Sequence, residues 1–308
     1  MKTIISIFLI IISLSTSIAK EESDVIAEPT GPAGTEIVLA NIKIRKGQVV
    51  LTNEQNVTSR TGYDSQPVFM EKDKALYFTR YIDNQTDIYR MDLKTRITKP
   101  YMKTPESEYS ATPIAGRDGI SVVRVELEKK ADGTDAQHVT WLHKAKGKNR
   151  SGLMSDLDVI GYHNWTGKNK LWMFIINGEQ GDLFYQTIGK KPKKMASNIG
   201  RALKTDTKYK HLYYVDKNKD DWWIKKVDTK KFKHTEIIAL PKDVEDFEID
   251  SKGNFWCGKG GTLYYSEKGK NWMIVKEFSI PGLSNITRID VNAKLTQIAI
   301  TFAETEAK

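Results

Sequence analysis

From Pro67 to Leu93 the chain reads PVFMEKDKALYFTRYIDNQTDIYRMDL: apolar and polar positions alternate, a polar turn interrupts them, and the alternation resumes. A two-residue period of this kind predicts strands with one buried face, joined as hairpins. Fragments resembling its end recur along the chain. They are TEIVLANI (Thr35 to Ile42), TDIYRMDL (Thr86 to Leu93), AQHVTWLH (Ala136 to His143), GDLFYQTI (Gly181 to Ile188), DDWWIKKV (Asp220 to Val227) and GTLYYSEK (Gly261 to Lys268). Aligned on their third residues, Ile37, Ile88, His138, Leu183, Trp222 and Leu263, they are spaced by 51, 50, 45, 39 and 41 residues. Short strands rich in aromatic and β-branched residues, repeating at such intervals, predict a β-propeller with one four-stranded blade per repeat.

A second series precedes these strands: GYDSQPVF from Gly62, EYSATPIA from Glu108, GYHNWTGK from Gly161, GRALKTD from Gly200, EDFEIDSK from Glu245 and TRIDVNAK from Thr287. These read as the innermost strand of each blade. Pro100 falls where an outer strand is expected, and an edge tolerates the missing donor. The first outer repeat has no inner strands before it, and the last inner pair, Thr287 to Phe302, has no outer strands after it. Joined, they make one blade. The expectation is therefore an all-β, six-bladed propeller over residues 35–304, closed by pairing N-terminal outer strands with C-terminal inner strands, which removes sheet edges that invite aggregation.

The ends add a compartment. Lys2, an apolar run from Ile4 to Leu14, and small residues at Ser17 and Ala19 have the layout of a signal peptide over residues 1–19. The run is too short to span a bilayer, which takes about 20 residues, and no later stretch is long and apolar enough. Residues 20–34, with Pro29, Gly31, Pro32 and Gly34, read as a tether. A periplasmic or secreted monomer is expected. The one cysteine, Cys257, rules out an intramolecular disulfide.

The best-preserved repeat carries a resemblance. Pro67, Phe69, Lys74, Leu76, Phe78 and Thr79, followed by Asp87, Ile88, Tyr89 and Asp92, resemble the WD-like repeat of the periplasmic type found in TolB-like six-bladed propellers. The Asp-Gly turn of that pattern is replaced here by Lys72-Asp73 and survives as Asp118-Gly119 in the next repeat. The resemblance covers nearly the whole chain after residue 19. It implies the fold and an envelope location, and leaves function open, because propellers host many activities.

Composition changes this picture in one place. Of the net charge of +9, residues 190–233 contribute +10, from fourteen lysines and Arg201 against five aspartates. A basic face there would favour an anionic partner such as lipid headgroups or an acidic polysaccharide. No nucleic-acid-binding motif is recognised. No Gly-x-Ser-x-Gly elbow occurs, and the five histidines show no His-Glu-x-x-His spacing, so no catalytic residue, metal ligand or cofactor is assigned.

One constellation remains. The starts of the six inner strands converge on the axis and bring Tyr63 and Asp64, Glu108 and Tyr109, Tyr162 and His163, Arg201, Glu245 and Asp246, and Arg288 to a channel mouth. Mixed acids, arginines and aromatics there suit a polar small molecule or a peptide end. Arg201 and Arg288 occupy matching positions, and two guanidinium forks would suit a carboxylate. The same residues could instead pair with one another and plug the channel, with Glu245 and Asp246 neutralising the arginines. The functional expectation is a non-enzymatic exported scaffold for a protein or peptide. The alternative is a small-molecule or lactonase-like hydrolytic propeller, for which Asp64, Glu108 and Asp246 would be the acidic candidates.

Overall fold

The computed structural model describes residues 31–305 apart from Lys46 and Gly147; the expected signal peptide lies outside the described residues. The described residues form 24 strands arranged as six four-stranded antiparallel sheets.

Blade I contains β3 (Asp64–Met70), β4 (Ala75–Ile82), β5 (Gln85–Asp92) and β6 (Thr98–Pro100). Blade II contains β7 (Ser107–Pro113), β8 (Ile120–Lys129), β9 (Asp135–Ala145) and β10 (Lys148–Leu153). Blade III contains β11 (Ile160–Trp165), β12 (Lys170–Asn177), β13 (Gln180–Thr187) and β14 (Lys193–Ser197). Blade IV contains β15 (Ile199–Thr205), β16 (His211–Asp216), β17 (Trp223–Asp228) and β18 (His234–Ala239). Blade V contains β19 (Phe247–Ile249), β20 (Phe255–Lys259), β21 (Thr262–Ser266) and β22 (Met273–Glu277). Blade VI is the composite sheet: β23 (Leu283–Val291) and β24 (Gln297–Glu304) continue into β1 (Thr35–Arg45) and β2 (Gln48–Asn56), in the order β2-β1-β24-β23.

The expected closure is present. β1 pairs with β24 from Thr35↔Ala303 to Asn41↔Gln297, so residues from the two ends share one ladder. The inner strands touch in cyclic order, β23, β3, β7, β11, β15, β19 and back to β23. This makes a six-bladed propeller. Its core is distributed as layers between neighbouring blades. One layer joins Ile88 and Tyr77 of blade I to Val122 and Leu142 of blade II. Another joins Trp172 and Leu183 of blade III to Tyr214 and Val227 of blade IV. Among the described residues no helix is long and apolar enough to cross a membrane.

The third-strand repeat holds with two shifts of register. Ile37, Ile88, Leu183 and Leu263 are almost fully buried, as aligned. In blades II and IV the buried position belongs to Val139 and Ile224 rather than His138 and Trp222. His138 instead directs Nδ1 to the carbonyl of Leu157 at 2.9 Å, and Trp222 lies under the Lys217 ammonium, 4.2 Å from its ring centroid. The alignment on third residues slips there by one and two residues, because at this strand position the layer between blades takes a compact aliphatic side chain. The Asp83-Asn84 hairpin is a polar turn as expected, with both residues at positive φ (52° and 62°), a conformation that Asp and Asn tolerate. Cys257 is buried, and burial pushes its thiol well above the ordinary range.

Candidate functional site

Most inner strands are irregular where they pair with their neighbour. Register breaks fall between Ser65 and Val68, Tyr109 and Thr112, Ile160 and Tyr162, and Ile199 and Leu203. A bulge frees a backbone N–H, and a buried N–H requires a partner. The adjacent blade supplies it. Gln66 Oε1 accepts from Ser110 N at 2.8 Å, Glu245 Oε1 from Arg201 N at 3.0 Å, and Asp290 Oδ2 from Phe69 N at 2.7 Å. The polar residues of the inner ring thus tie blade to blade.

At the channel mouth Arg201 and Arg288 do meet, and they meet on Asp246. Arg288 Nη1 donates to Asp246 Oδ2 at 2.5 Å, and Arg201 donates to the same oxygen from Nη2 at 2.8 Å and Nε at 3.1 Å. Arg288 Nη2 also donates to the Tyr162 hydroxyl at 3.0 Å. Blades VI and III stand opposite each other, so this bond crosses the axis and closes a plug of four side chains. Burial opposes charge on Asp246, but the Arg288 and Arg201 guanidiniums outweigh it and hold the carboxyl below its usual value. Tyr63 stands near Arg288, Tyr162 and Tyr109, and burial raises its hydroxyl.

Three candidates take no part in the plug, although His163 lines the same cavity. Asp64 is fully buried and takes a two-pronged bond from Arg80, 2.6 Å from Nε and 2.8 Å from Nη2. Glu108 is fully buried, accepts from Thr104 Oγ1, and is pushed up to about 7 by burial. His163 sits between blades II and III, 2.7 Å from Ser121 Oγ, and burial lowers it to about 3, so the ring is neutral. Glu245, besides its backbone bond, lies 3.8 Å from Lys217. Six of the ten candidates therefore gather at the mouth: the three tyrosines, Asp246 and the two arginines.

The channel holds a cavity of about 230 Å³ lined by the four plug residues, by His163 and by residues that the sequence reading passed over. Lys204 Nζ donates to Glu248 Oε2 at 2.5 Å, and Asp290 lines the same space. Burial, aided by the neighbouring Glu248 carboxylate, pushes Asp290 well up toward its neutral form. Strand periodicity held a signal for two of them. Glu248 lies two residues beyond Asp246, and Asp290 two beyond Arg288, so each shares its partner's face. A second, larger cavity of about 770 Å³ lies between blades I and II, where Tyr77, Tyr101 and His143 face the Glu71–Arg90 ion pair; nothing in the repeat pattern pointed to it.

The charge excess of 190–233 divides between the two faces and the channel. Lys194 pairs with Asp182, Lys204 with Glu248, Lys217 with Glu245, and Lys219 and Lys225 with Glu236. Of the remaining lysines Lys226 lies within β17, and the others sit on or beside the turns β13–β14, β15–β16 and β17–β18.

Among the described residues no group of three or more His, Cys, Asp or Glu side chains is placed to hold a metal ion. The donor set agrees, because Asp246 and Glu248 are each already bound to a cation.

No family model and no curated protein matches the sequence. Solved structures match the fold. A putative TolB from Agrobacterium tumefaciens superposes with a TM-score of 0.65 at 10% identity, over 89% of this chain and 100% of that one. A chain of the nidogen/laminin complex gives 0.58 at 12% identity, over 87% and 98%. A gluconolactonase from Xanthomonas campestris gives 0.55 at 10% identity, over 90% and 99%. At these identities the likeness establishes the six-bladed architecture alone.

Proposed function

We propose that this chain is a non-enzymatic, exported binding scaffold that docks a protein or peptide partner, in the manner of TolB-like propellers. The carrying observation is the plug. Arg201, Arg288, Asp246 and Tyr162 spend their polar groups on one another across the axis, and Lys204 and Glu248 do the same beneath them. A general acid or base needs an unengaged titratable group within reach of a substrate, and a metal hydrolase needs donors not already tied to cations. At the mouth the acids and cations are tied to one another, which supports a scaffold over a lactonase. The loops around a rigid ring then supply the binding surface. The test is a pull-down from the native envelope alongside a lactone-hydrolysis assay with divalent metals added. Capture of a defined partner without turnover is expected; turnover abolished by Asp246→Asn would overturn the reading.

One observation favours a second reading, a small carboxylate ligand or peptide C-terminus inside the channel. Arg201, Arg288 and Lys204 border the cavity against Asp246 and Glu248, while Asp290 is shifted toward neutrality, leaving a positive excess. Calorimetry with peptides bearing free or amidated C-termini tests it. Preference for the free acid, lost in a folded Arg201→Ala/Arg288→Ala variant, is the expected result. A variant that is destabilised yet binds equally assigns both arginines to structure alone.

A further inference from the structure

The four turns β11–β12, β13–β14, β15–β16 and β17–β18 each join the first strand of a blade to the second, or the third to the fourth. In an up-and-down sheet all such turns emerge on the same face, and here they belong to adjacent blades, III and IV. They are knit together. Ile188 N donates to Asn169 O at 2.9 Å, Thr229 N donates to Lys210 O at 3.0 Å, and the Lys193 ammonium lies 5.6 Å from the ring centroid of Phe232.

This surface is lined with lysines. Lys168 and Lys170 come from the first turn, Lys190 and Lys191 from the second, Lys208 and Lys210 from the third, and Lys230, Lys231 and Lys233 from the fourth. All but Lys170 are exposed, and none of the nine has a carboxylate within 4.0 Å among the described residues. The acids close by are already engaged. Asp206 binds His211 and the backbone of Lys210, Asp228 caps the N–H groups of Lys230 and Lys231, and Asp156 accepts from Gln186. They hold the turns in shape, and although Asp228 also feels Lys231, three carboxylates leave the nine ammonium groups in clear excess.

We propose that this face of blades III and IV docks onto an anionic lipid membrane. Three features select a bilayer over a specific acidic protein or sugar. The positive groups are lysines throughout; the one arginine of residues 190–233, Arg201, is in the channel, so the face lacks the planar forks that read carboxylates and sulfates individually. The charges are carried on turn tips at a common level across two blades, an array matched to a sheet of headgroups. Finally, Tyr209 is 37% exposed among these lysines, and a tyrosine ring is suited to the headgroup boundary. Clusters of four to eight lysines are enough to hold a protein to acidic lipid, and the attraction fades within a Debye length.

The test is co-sedimentation of the folded chain with vesicles of phosphatidylcholine alone or mixed with phosphatidylglycerol, at low and high salt. Binding only to the mixed vesicles, and only at low salt, is expected. The variant Lys190→Gln/Lys191→Gln/Lys230→Gln/Lys231→Gln should lose about a hundredfold or more in affinity while keeping the wild-type melting temperature. The Arg201→Ala/Arg288→Ala variant, where folded, should still bind, which separates this surface from the channel site. Equal binding to both vesicle types, no binding to either, or an unaffected lysine variant would overturn the proposal. Retention on immobilised polygalacturonate without vesicle binding would also overturn it and reassign the face to acidic polysaccharide.

Discussion

Two strongly charged regions of this molecule treat their charges in opposite ways. In the channel, two arginines and a lysine are paired with aspartate and glutamate from neighbouring blades. On the turns of blades III and IV, nine lysines form no ion pair among the described residues. The difference follows from the cost of desolvation. A cation at the axis has lost water and must recover an anion, whereas one on a turn tip keeps its hydration and can stand unpaired. Unmatched charge therefore identifies a surface available to a partner, and matched charge identifies one already committed to the fold.

The contrast presupposes a closed ring, and breaking the ring should have the largest effect. Removing residues 285–308 strips β24 and most of β23, and exposes the faces they cover. Cooperative unfolding should be lost and aggregation should follow. A truncated chain that stays monomeric with an unchanged thermal transition would refute the closure scheme.

Next in size is the plug. Asp246→Ala leaves two guanidiniums facing each other without their shared anion. A fully buried pair broken in this way costs about 3–5 kcal/mol. Asp246 is 21% exposed, so about 2–4 kcal/mol is expected by urea denaturation. A loss below about 0.5 kcal/mol, the ordinary surface range, would show that the plug does not hold the ring together.

Glu108 sharpens the comparison through pH. Its carboxyl rises from 4.5 to about 7 on folding, because burial disfavours the charge. Between those values the folded chain keeps a proton that the unfolded chain releases. The stabilising contribution is thus complete below about pH 4.5 and declines, by roughly 3 kcal/mol, as pH rises to 7. Glu108→Gln should flatten this slope relative to the parent chain, with the opposing contribution of His163 common to both. Parallel stability–pH curves for the two proteins would show that Glu108 ionises in the fold as it does in water.

The smallest effect belongs to the lysine turns. Lys230→Gln/Lys231→Gln should change stability by less than about 0.5 kcal/mol, since no intramolecular partner is lost. A clear destabilisation would mean that these turns contribute to the fold after all.

The architecture was legible because it is written redundantly. Six copies of a strand pattern, with incomplete copies at the two ends, specify six blades and their closure even when single copies are degenerate. The candidate site was legible in half its detail, for a reason contained in the strand itself. Tyr63 and Asp64, Glu108 and Tyr109, and Tyr162 and His163 are sequence neighbours, and neighbours on a strand face opposite ways. The ionisable member of each pair is the buried one and is engaged inside the fold, where Asp64 finds Arg80, Glu108 finds Thr104 and His163 finds Ser121. Glu248 and Asp290 were readable from the same rule. The bulge that separates Arg201 from Lys204 by three residues breaks this rule, so Lys204 was not. The larger cavity between blades I and II depends on how two sheets splay, which no local pattern encodes.

The ladder between β1 and β24 also sets an order of events during synthesis. Thr35 is made 268 residues ahead of its partner Ala303. Five blades can assemble as their hairpins emerge, but β1 and β2 must wait, half a sheet without its inner strands, until β23 and β24 have emerged. During that interval β1, which becomes almost fully buried along Thr35–Ala40, exposes an apolar edge. The nascent chain is therefore most vulnerable to mispairing just before β23 and β24 emerge, and a second copy that has made them could donate those strands in place of its own. Slow emergence of β23 and β24, or crowding of chains at that stage, should raise the yield of such exchanged dimers, because closure through a loop this long is slow compared with hairpin formation.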